Sequence, residues 1–113
     1  MGSNTPNGER TVELKGFQRS YLSKLAHEIR PSVQLGVKGL TDALVKQTDE
    51  MLEHHELIKV KFIDYKKSKD ELSRQLCEAT DAELIRVIGN IAILYRQARE
   101  PDHRKLRIPS KKS

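Results

Sequence analysis

The spacing of apolar and polar residues divides the chain into seven segments of regular structure. Three stretches repeat their apolar residues at intervals of three and four, as amphipathic helices do, and four shorter stretches have the pattern of β-strands. The helical stretches are 12–29, 40–55 and 68–80, and the strand stretches are 33–35, 57–63, 84–88 and 91–95. The predicted element order is therefore α-β-α-β-α-β-β.

The strands predict a mixed four-stranded sheet. Stretch 91–95 is apolar on both faces, which places it inside the sheet, and Gly89-Asn90 joins it to the preceding strand as a hairpin. Right-handed crossovers put the second and third helices on one face. The predicted strand order is then 1-2-4-3, with the last strand antiparallel, in an α/β fold of the two-layer α+β type. The position of the first helix is left open.

The helices also have predicted faces. In the second helix, a buried stripe is predicted from Leu40 to His55, and the exposed face is mostly acidic. The acidic residues of that face are Asp42, Asp49, Glu50, Glu53 and Glu56. In the third helix the predicted stripe includes Ala79, and Ser68 with Glu71 forms a possible capping box. A polyanion would be repelled by the acidic flank of the second helix and would contact its start instead.

Two glycines stand between the first strand and the second helix. Gly36 and Gly39 enclose Val37 and Lys38, and their lack of a side chain permits a sharp turn and the close approach of another backbone. The free N–H groups and the dipole of a following helix favour a phosphate there, and Lys38 adds a cation. The same residues also suit an ordinary strand-to-helix turn, so they leave both interpretations open.

The net charge of +5 is concentrated at one end of the chain. Residues 1–95 hold 14 basic and 14 acidic side chains, whereas residues 96–113 hold 7 basic and 2 acidic ones. We therefore expect a disordered extension at 1–11, a domain at 12–100 and a basic tail at 101–113. Such a tail is typical of polyanion binding, and also of solubilising ends.

Several classes of function are not indicated by the composition. No apolar run approaches the length of a membrane span, no signal-peptide core is present, and Cys77 is the single cysteine. His54 and His55 project about 100° apart on a helix, which disfavours a shared metal ion. We expect a cytoplasmic monomer that is not an enzyme and uses no cofactor or metal. Phe62 faces the core, so no aromatic platform for RNA bases is predicted.

Several short motifs together resemble those of a known family. They are Leu25–Pro31, Gln34–Thr41, His54–Lys61, Val87–Gly89 and Leu94–Arg96. In this order they are similar to the motifs of the CRM domain (chloroplast RNA splicing and ribosome maturation) in its free-standing bacterial YhbY-like form. The resemblance implies a fold similar to the C-terminal domain of bacterial translation initiation factor three, and RNA as the partner. It also implies association with precursors of the large ribosomal subunit.

The resemblance and the basic residues together predict an RNA surface. The matching family positions are Gly36, Val37, Lys38 and Gly39 in a GxxG loop, with Lys59, Lys61 and Arg96. Arg19 and Arg30 of the first helix could extend that surface. The alternative function is a protein–protein adaptor on the ribosomal particle, whose acidic second helix meets a basic protein and which binds RNA weakly.

Overall fold

The computed structural model describes residues 14–109, and its elements follow the predicted order. The helices are α1 (Gly16–Ala26), α2 (Asp42–His55) and α3 (Lys69–Thr80), and the strands are β1 (Val33–Leu35), β2 (Leu57–Phe62), β3 (Glu83–Ile88) and β4 (Ile91–Tyr95). Short 3-10 turns occupy Lys66–Ser68 and Pro101–His103. The extension predicted at 1–11 and the last tail residues, 110–113, lie outside the described residues.

The strands form one mixed sheet in the order β1-β2-β4-β3, which confirms the prediction. β1 is parallel to β2, and β4 is antiparallel to both of its neighbours. Ala92 of β4 lies between Val60 and Val87. Gly89 starts the hairpin turn with a φ of 57°, which glycine adopts without steric strain.

Helices α2 and α3 pack together on one face of the sheet. Leu52 and Leu76 are fully buried there against Val60, Phe62 and Leu94. Burying a side chain of this size contributes about 1.5–3 kcal/mol. This layer fixes the direction in which α2 leaves β1, and so the position of the glycine loop between them.

Helix α1 covers the opposite face and adds a third layer. Leu22 and Ala26 pack against Leu57, Ile93 and Tyr95, so α1, whose position the sequence left open, adds a layer to the two that were predicted. The helix ends at Ala26, three residues before its predicted end. Lys61, which lies on this face beside β1, is exposed.

Some side chains lie on other faces than predicted. His55 and Ala79 are exposed, whereas Ser73 and Thr80 of α3 are buried. Ser68 makes no capping hydrogen bond through its side chain. Glu71 instead accepts hydrogen bonds from Gln75 and Arg74, and these lower the pKa of its carboxyl group. No helix within residues 14–109 is long and apolar enough to cross a membrane.

The C-terminal segment, residues 96–109, folds back on the domain. Its anchor is Glu56, which is fully buried although its position in the sequence pattern predicts exposure. The Glu56 carboxylate accepts hydrogen bonds from the amides of Ala98, Lys105 and Leu106 at 2.7–2.9 Å. Burial and the nearby Glu56 charge also raise the pKa of Tyr95 to about 12.

Further contacts hold this segment on both sides of the domain. Leu106 and Ile108 pack against the α1 layer, and the Gln18 side chain donates to the Pro109 carbonyl at 2.9 Å. The predicted domain boundary at residue 100 therefore does not coincide with an edge of the packed structure. The acidic flank of α2 is likewise only partly free, since Asp49, Glu53 and Glu56 bind this segment.

Candidate nucleic-acid interface

Three connections meet at one edge of the sheet. The amides of Ile63 and Asp64, just after β2, donate to the Leu35 carbonyl at the end of β1. The Phe62 amide donates at 2.8 Å to the carbonyl of Asn90 in the β3–β4 turn. We call this the loop edge: it comprises residues 36–41, 63–68 and 89–90. The opposite edge carries the amino end of β2 and the carboxyl end of β4.

The glycine loop forms a tight turn at the loop edge. The Gly39 amide donates to the Gly36 carbonyl at 2.9 Å, and Gly39 has a φ of 73°. Val37 is 74% exposed and Lys38 is also exposed. Val37 and Lys38 therefore form an exposed turn that another molecule can approach.

Tyr65, in the connection between β2 and α3, contacts the glycine loop and acts as a brace that holds its backbone in place. Its hydroxyl donates to the Val37 carbonyl at 2.9 Å, and its ring lies 3.4 Å from where a Cβ on Gly39 would be. In a trans peptide the carbonyl and the following N–H point in opposite directions. Because the Val37 carbonyl faces Tyr65, the N–H of Lys38 points away from the ring and is oriented as a donor at the surface.

The start of α2 is a weaker anion-binding site than the sequence predicts. The helix begins at Asp42, and the Thr41 side chain accepts from the Leu44 amide at 3.1 Å. One free N–H is thus used internally, and Asp42 places a negative charge in the first turn. An acidic residue there competes with a bound phosphate for the helix dipole. The loop and its lysines are therefore the stronger anion-binding elements.

Two further lysines lie at the loop edge and were not among the predicted site residues. Lys66 and Lys67 follow Tyr65 directly, in an exposed 3-10 turn. With Lys38 they supply three cations near the glycine loop. A sequence signal for them exists: the ends of parallel strands share an edge, and the polar connection after β2 contains Tyr65-Lys66-Lys67.

Of the two predicted basic residues of β2, Lys61 lies beside the loop edge, whereas Lys59 lies opposite Ser32 at the entrance to β1. Lys61 of β2 pairs with Gln34 of β1. Gln34 precedes Gly36 by two residues, so Lys61 is close to the glycine loop. Strand geometry places its Cα roughly 8 Å from that of Gly36. Lys59 is half-buried and lines a shallow groove of about 220 Å³ with His27 and other residues. Arg30 is exposed in the connection that enters β1, at the other end of that strand.

The two remaining predicted arginines, Arg19 and Arg96, lie away from the loop edge. Arg19 bonds the Leu84 carbonyl at 2.7 Å and the Glu83 carboxylate at 3.4 Å, near the start of β3 at the opposite edge.

Arg96 is only 7% exposed, and its guanidinium contacts Asp49, Glu53 and the Thr80 carbonyl. Its contacts give it a structural role, so the interpretation of Arg96 as a surface contact is corrected.

Metal-binding chemistry has no support in the geometry either. Within residues 14–109, no three His, Cys, Asp or Glu side chains are close enough together to hold a metal ion. Cys77 is buried in the α2–α3 layer, as its place in the helical pattern predicts.

The fold and this edge define a class: a small α+β domain with an exposed, braced glycine loop flanked by lysines. Residues 14–96 match the family model of the CRS1/YhbY (CRM) domain. The chain therefore belongs to the CRS1/YhbY (CRM) domain family.

Curated relatives and a solved structure agree with this assignment. The chain is 36% identical over 95 residues to a protein of Haemophilus influenzae named RNA-binding protein, covering 83% of this chain and 93% of that one. It is 34% identical over 88 residues to the "probable RNA-binding protein YqeI" of Bacillus subtilis, covering 77% and 92%. The solution structure of the hypothetical protein SAV1595 from Staphylococcus aureus matches with a TM-score of 0.69 at 40% identity. That match covers 84% of this chain and all of the other.

Proposed function

We propose that this protein binds RNA through the loop edge, with the glycine loop holding the phosphate backbone. One observation carries the proposal: Val37 and Lys38 are exposed, and the Tyr65 hydroxyl holds the peptide between them through its hydrogen bond to the Val37 carbonyl. The names of the relatives, which are RNA-binding proteins, support the choice of RNA as the polyanion.

The chemistry of the edge suits a phosphate backbone. The Lys38 N–H is a directional donor, the glycines let the ligand backbone come close, and Lys38, Lys66 and Lys67 provide positive charge. Lys61 continues this charge along the exposed part of β2. Contacts of this kind fix the position of an RNA strand and make its affinity depend on salt.

Within this proposal, the RNA is ribosomal and belongs to precursors of the large subunit. The family resemblance supports this assignment. The protein would act there as a monomeric cytoplasmic assembly factor, without catalysis or a cofactor. Crosslinking in cells followed by sequencing of the bound RNA tests this part, and we expect reads concentrated in large-subunit ribosomal RNA and its precursors.

The test of RNA binding is a fluorescence-anisotropy titration across salt concentrations with two charge-matched variants. Lys66→Gln with Lys67→Gln removes two cations at the loop edge, and Lys105→Gln with Arg107→Gln removes two exposed cations of the C-terminal segment. We expect the first pair to weaken binding and to reduce the logarithmic salt slope by up to about 0.7 for each phosphate that is no longer neutralised on a single strand. The second pair should bind nearly as the wild type does.

Two results would count against the proposal. An equal decrease in affinity in both pairs would show attraction by net charge alone, without a site at the loop edge. No binding by the wild type near physiological salt would favour the adaptor function instead. The internal use of Asp49, Glu53 and Glu56 leaves that adaptor less acidic surface than the sequence predicts.

A further inference from the structure

We propose that Tyr65 stacks on a base of single-stranded RNA whose backbone lies on the glycine loop. This inference rests on the proposed RNA-binding function and specifies its ligand as a strand with an unpaired, unstacked base. It also revises the prediction that the chain offers no aromatic surface to bases, since Tyr65 is 43% exposed.

The Tyr65 ring is held beside the glycine loop with part of its surface exposed. One part of the ring lies against Gly39 and its hydroxyl is tied to the Val37 carbonyl, while the rest is open to solvent. An aromatic side chain whose orientation is already fixed loses little conformational freedom when a base stacks on it. Tyr65 is thus arranged as a stacking surface as well as a brace.

The backbone conformation of Tyr65 is unusual and is supported by a hydrogen bond. Tyr65 has a φ of 57°, the left-handed conformation that residues other than glycine rarely adopt. The Asp64 carboxylate accepts from the Tyr65 amide at 2.7 Å and supports this conformation. With this conformation the Tyr65 ring reaches Val37 and Gly39, and Lys66 and Lys67 follow it in the exposed 3-10 turn.

The Lys38 N–H, the nearby lysines and the Tyr65 ring together predict how one nucleotide would be held. Its phosphate meets the Lys38 N–H and the lysines, and a base next to that phosphate reaches the open part of the Tyr65 ring. Bases paired in a duplex are stacked on one another and cannot make this contact. The edge should therefore prefer single strands or loops over duplex RNA.

Two substitutions separate stacking from bracing. Tyr65→Asn removes the ring, and asparagine tolerates the left-handed conformation; Tyr65→Phe keeps the ring and removes the hydroxyl. Each is titrated with short oligouridylate and with an abasic oligomer of the same length and charge. We expect Tyr65→Asn to bind oligouridylate roughly 5- to 150-fold more weakly and the abasic oligomer with a much smaller decrease in affinity. Tyr65→Phe should retain the preference for oligouridylate.

A fluorescence measurement keeps the proposal testable if Tyr65→Asn is unstable. The chain has no tryptophan, so Tyr65→Trp introduces a single indole at the site. We expect oligouridylate to quench its emission, whereas the abasic oligomer should not. Ala79→Trp, at an exposed position on α3 near the opposite edge, is the control and should respond to neither.

The outcomes distinguish this inference from the proposed function. An equal decrease in affinity for both oligomers in Tyr65→Asn, or unquenched indole emission in Tyr65→Trp, would overturn stacking and leave Tyr65 as a brace of an RNA site. If the wild type bound neither oligomer, the proposed function itself would fail.

Discussion

Glu56 and Ala98 are 42 residues apart in the sequence, yet the Glu56 carboxylate accepts a 2.7 Å hydrogen bond from the Ala98 amide inside the domain. The same carboxylate also receives the amides of Lys105 and Leu106. A buried charge is tolerated when hydrogen bonds replace its hydration, and here backbone amides supply them. The C-terminal segment is therefore an integral part of the fold.

Glu56→Gln should destabilise the protein by about 2–3 kcal/mol. The substitution keeps the shape of the side chain but removes its negative charge. It also replaces one carboxylate oxygen by an NH2 group, a donor that then faces backbone amide donors. Urea unfolding measures the change, with Glu50→Gln, an exposed neighbour on α2, as the control. Equal stability of the two variants would contradict the anchoring role of Glu56.

Acid should weaken the fold through Glu53. Hydrogen bonds from the Arg99 amide, His103 and the Glu100 amide lower the pKa of Glu53 from 4.5 to about 2, against the effect of its burial. A lowered pKa stabilises the folded state above the ordinary value, so this contribution is present above about pH 4.5 and is lost as the pH falls toward 2. Arg96 and Arg99 face the same carboxylate region.

The measurement is urea unfolding of the wild type and Glu53→Gln at several pH values between 7 and 2.5. The free energy of unfolding of the variant should be lower at neutral pH and should change less with acid, so that the two curves converge. Parallel curves would show that the Glu53 carboxylate is not coupled to the C-terminal segment.

The two loop glycines should respond differently to alanine. Gly39 has a left-handed φ, so Gly39→Ala should cost about 1–2 kcal/mol through backbone strain, while its Cβ makes only ordinary contact with the Tyr65 ring. A Cβ on Gly36 meets no atom within 4 Å, and its φ is outside that region; Gly36→Ala should leave stability unchanged or raise it by up to about 1 kcal/mol. Thermal unfolding measures both, and an unchanged melting temperature for Gly39→Ala would refute this account of the turn.

Arg96 should affect stability, and Arg30 should not. Removing the Arg96 guanidinium leaves Asp49 and Glu53 without a buried partner, so Arg96→Gln should destabilise by about 3 kcal/mol. Arg30→Gln alters an exposed side chain and serves as the control. If Arg96→Gln kept full stability and bound RNA more weakly, Arg96 would have to be an RNA contact after all.

The fold was largely predictable because its signals are local. Ile91–Tyr95 is apolar on both faces, and only an interior strand suits that pattern; with the crossover rule it determined the strand order. The first helix had no comparable signal for its position. Its apolar stripe shows that it is buried on one side, but not against which face of the sheet.

The C-terminal segment and part of the site were missed because their contacts are distant in sequence. A buried Glu56 that binds backbone amides looks the same in a hydrophobic pattern as a solvated glutamate. Tyr65 lies in a polar stretch of the sequence, and nothing in that stretch indicates its contact with Val37, which joins residues 28 positions apart. The turn between β1 and α2 was predicted because its glycines and their spacing are a local signal, and RNA binding by this loop stays a prediction.

The two outer strands of the sheet limit how this protein can associate. β1 has only three residues, and the pairing of β3 with β4 shifts register between Leu84 and Arg86. Short or irregular edges give an incoming strand too few aligned hydrogen-bonding groups to extend the sheet. We therefore expect the protein to resist aggregation through β-sheet addition and to leave partner recognition to its loops.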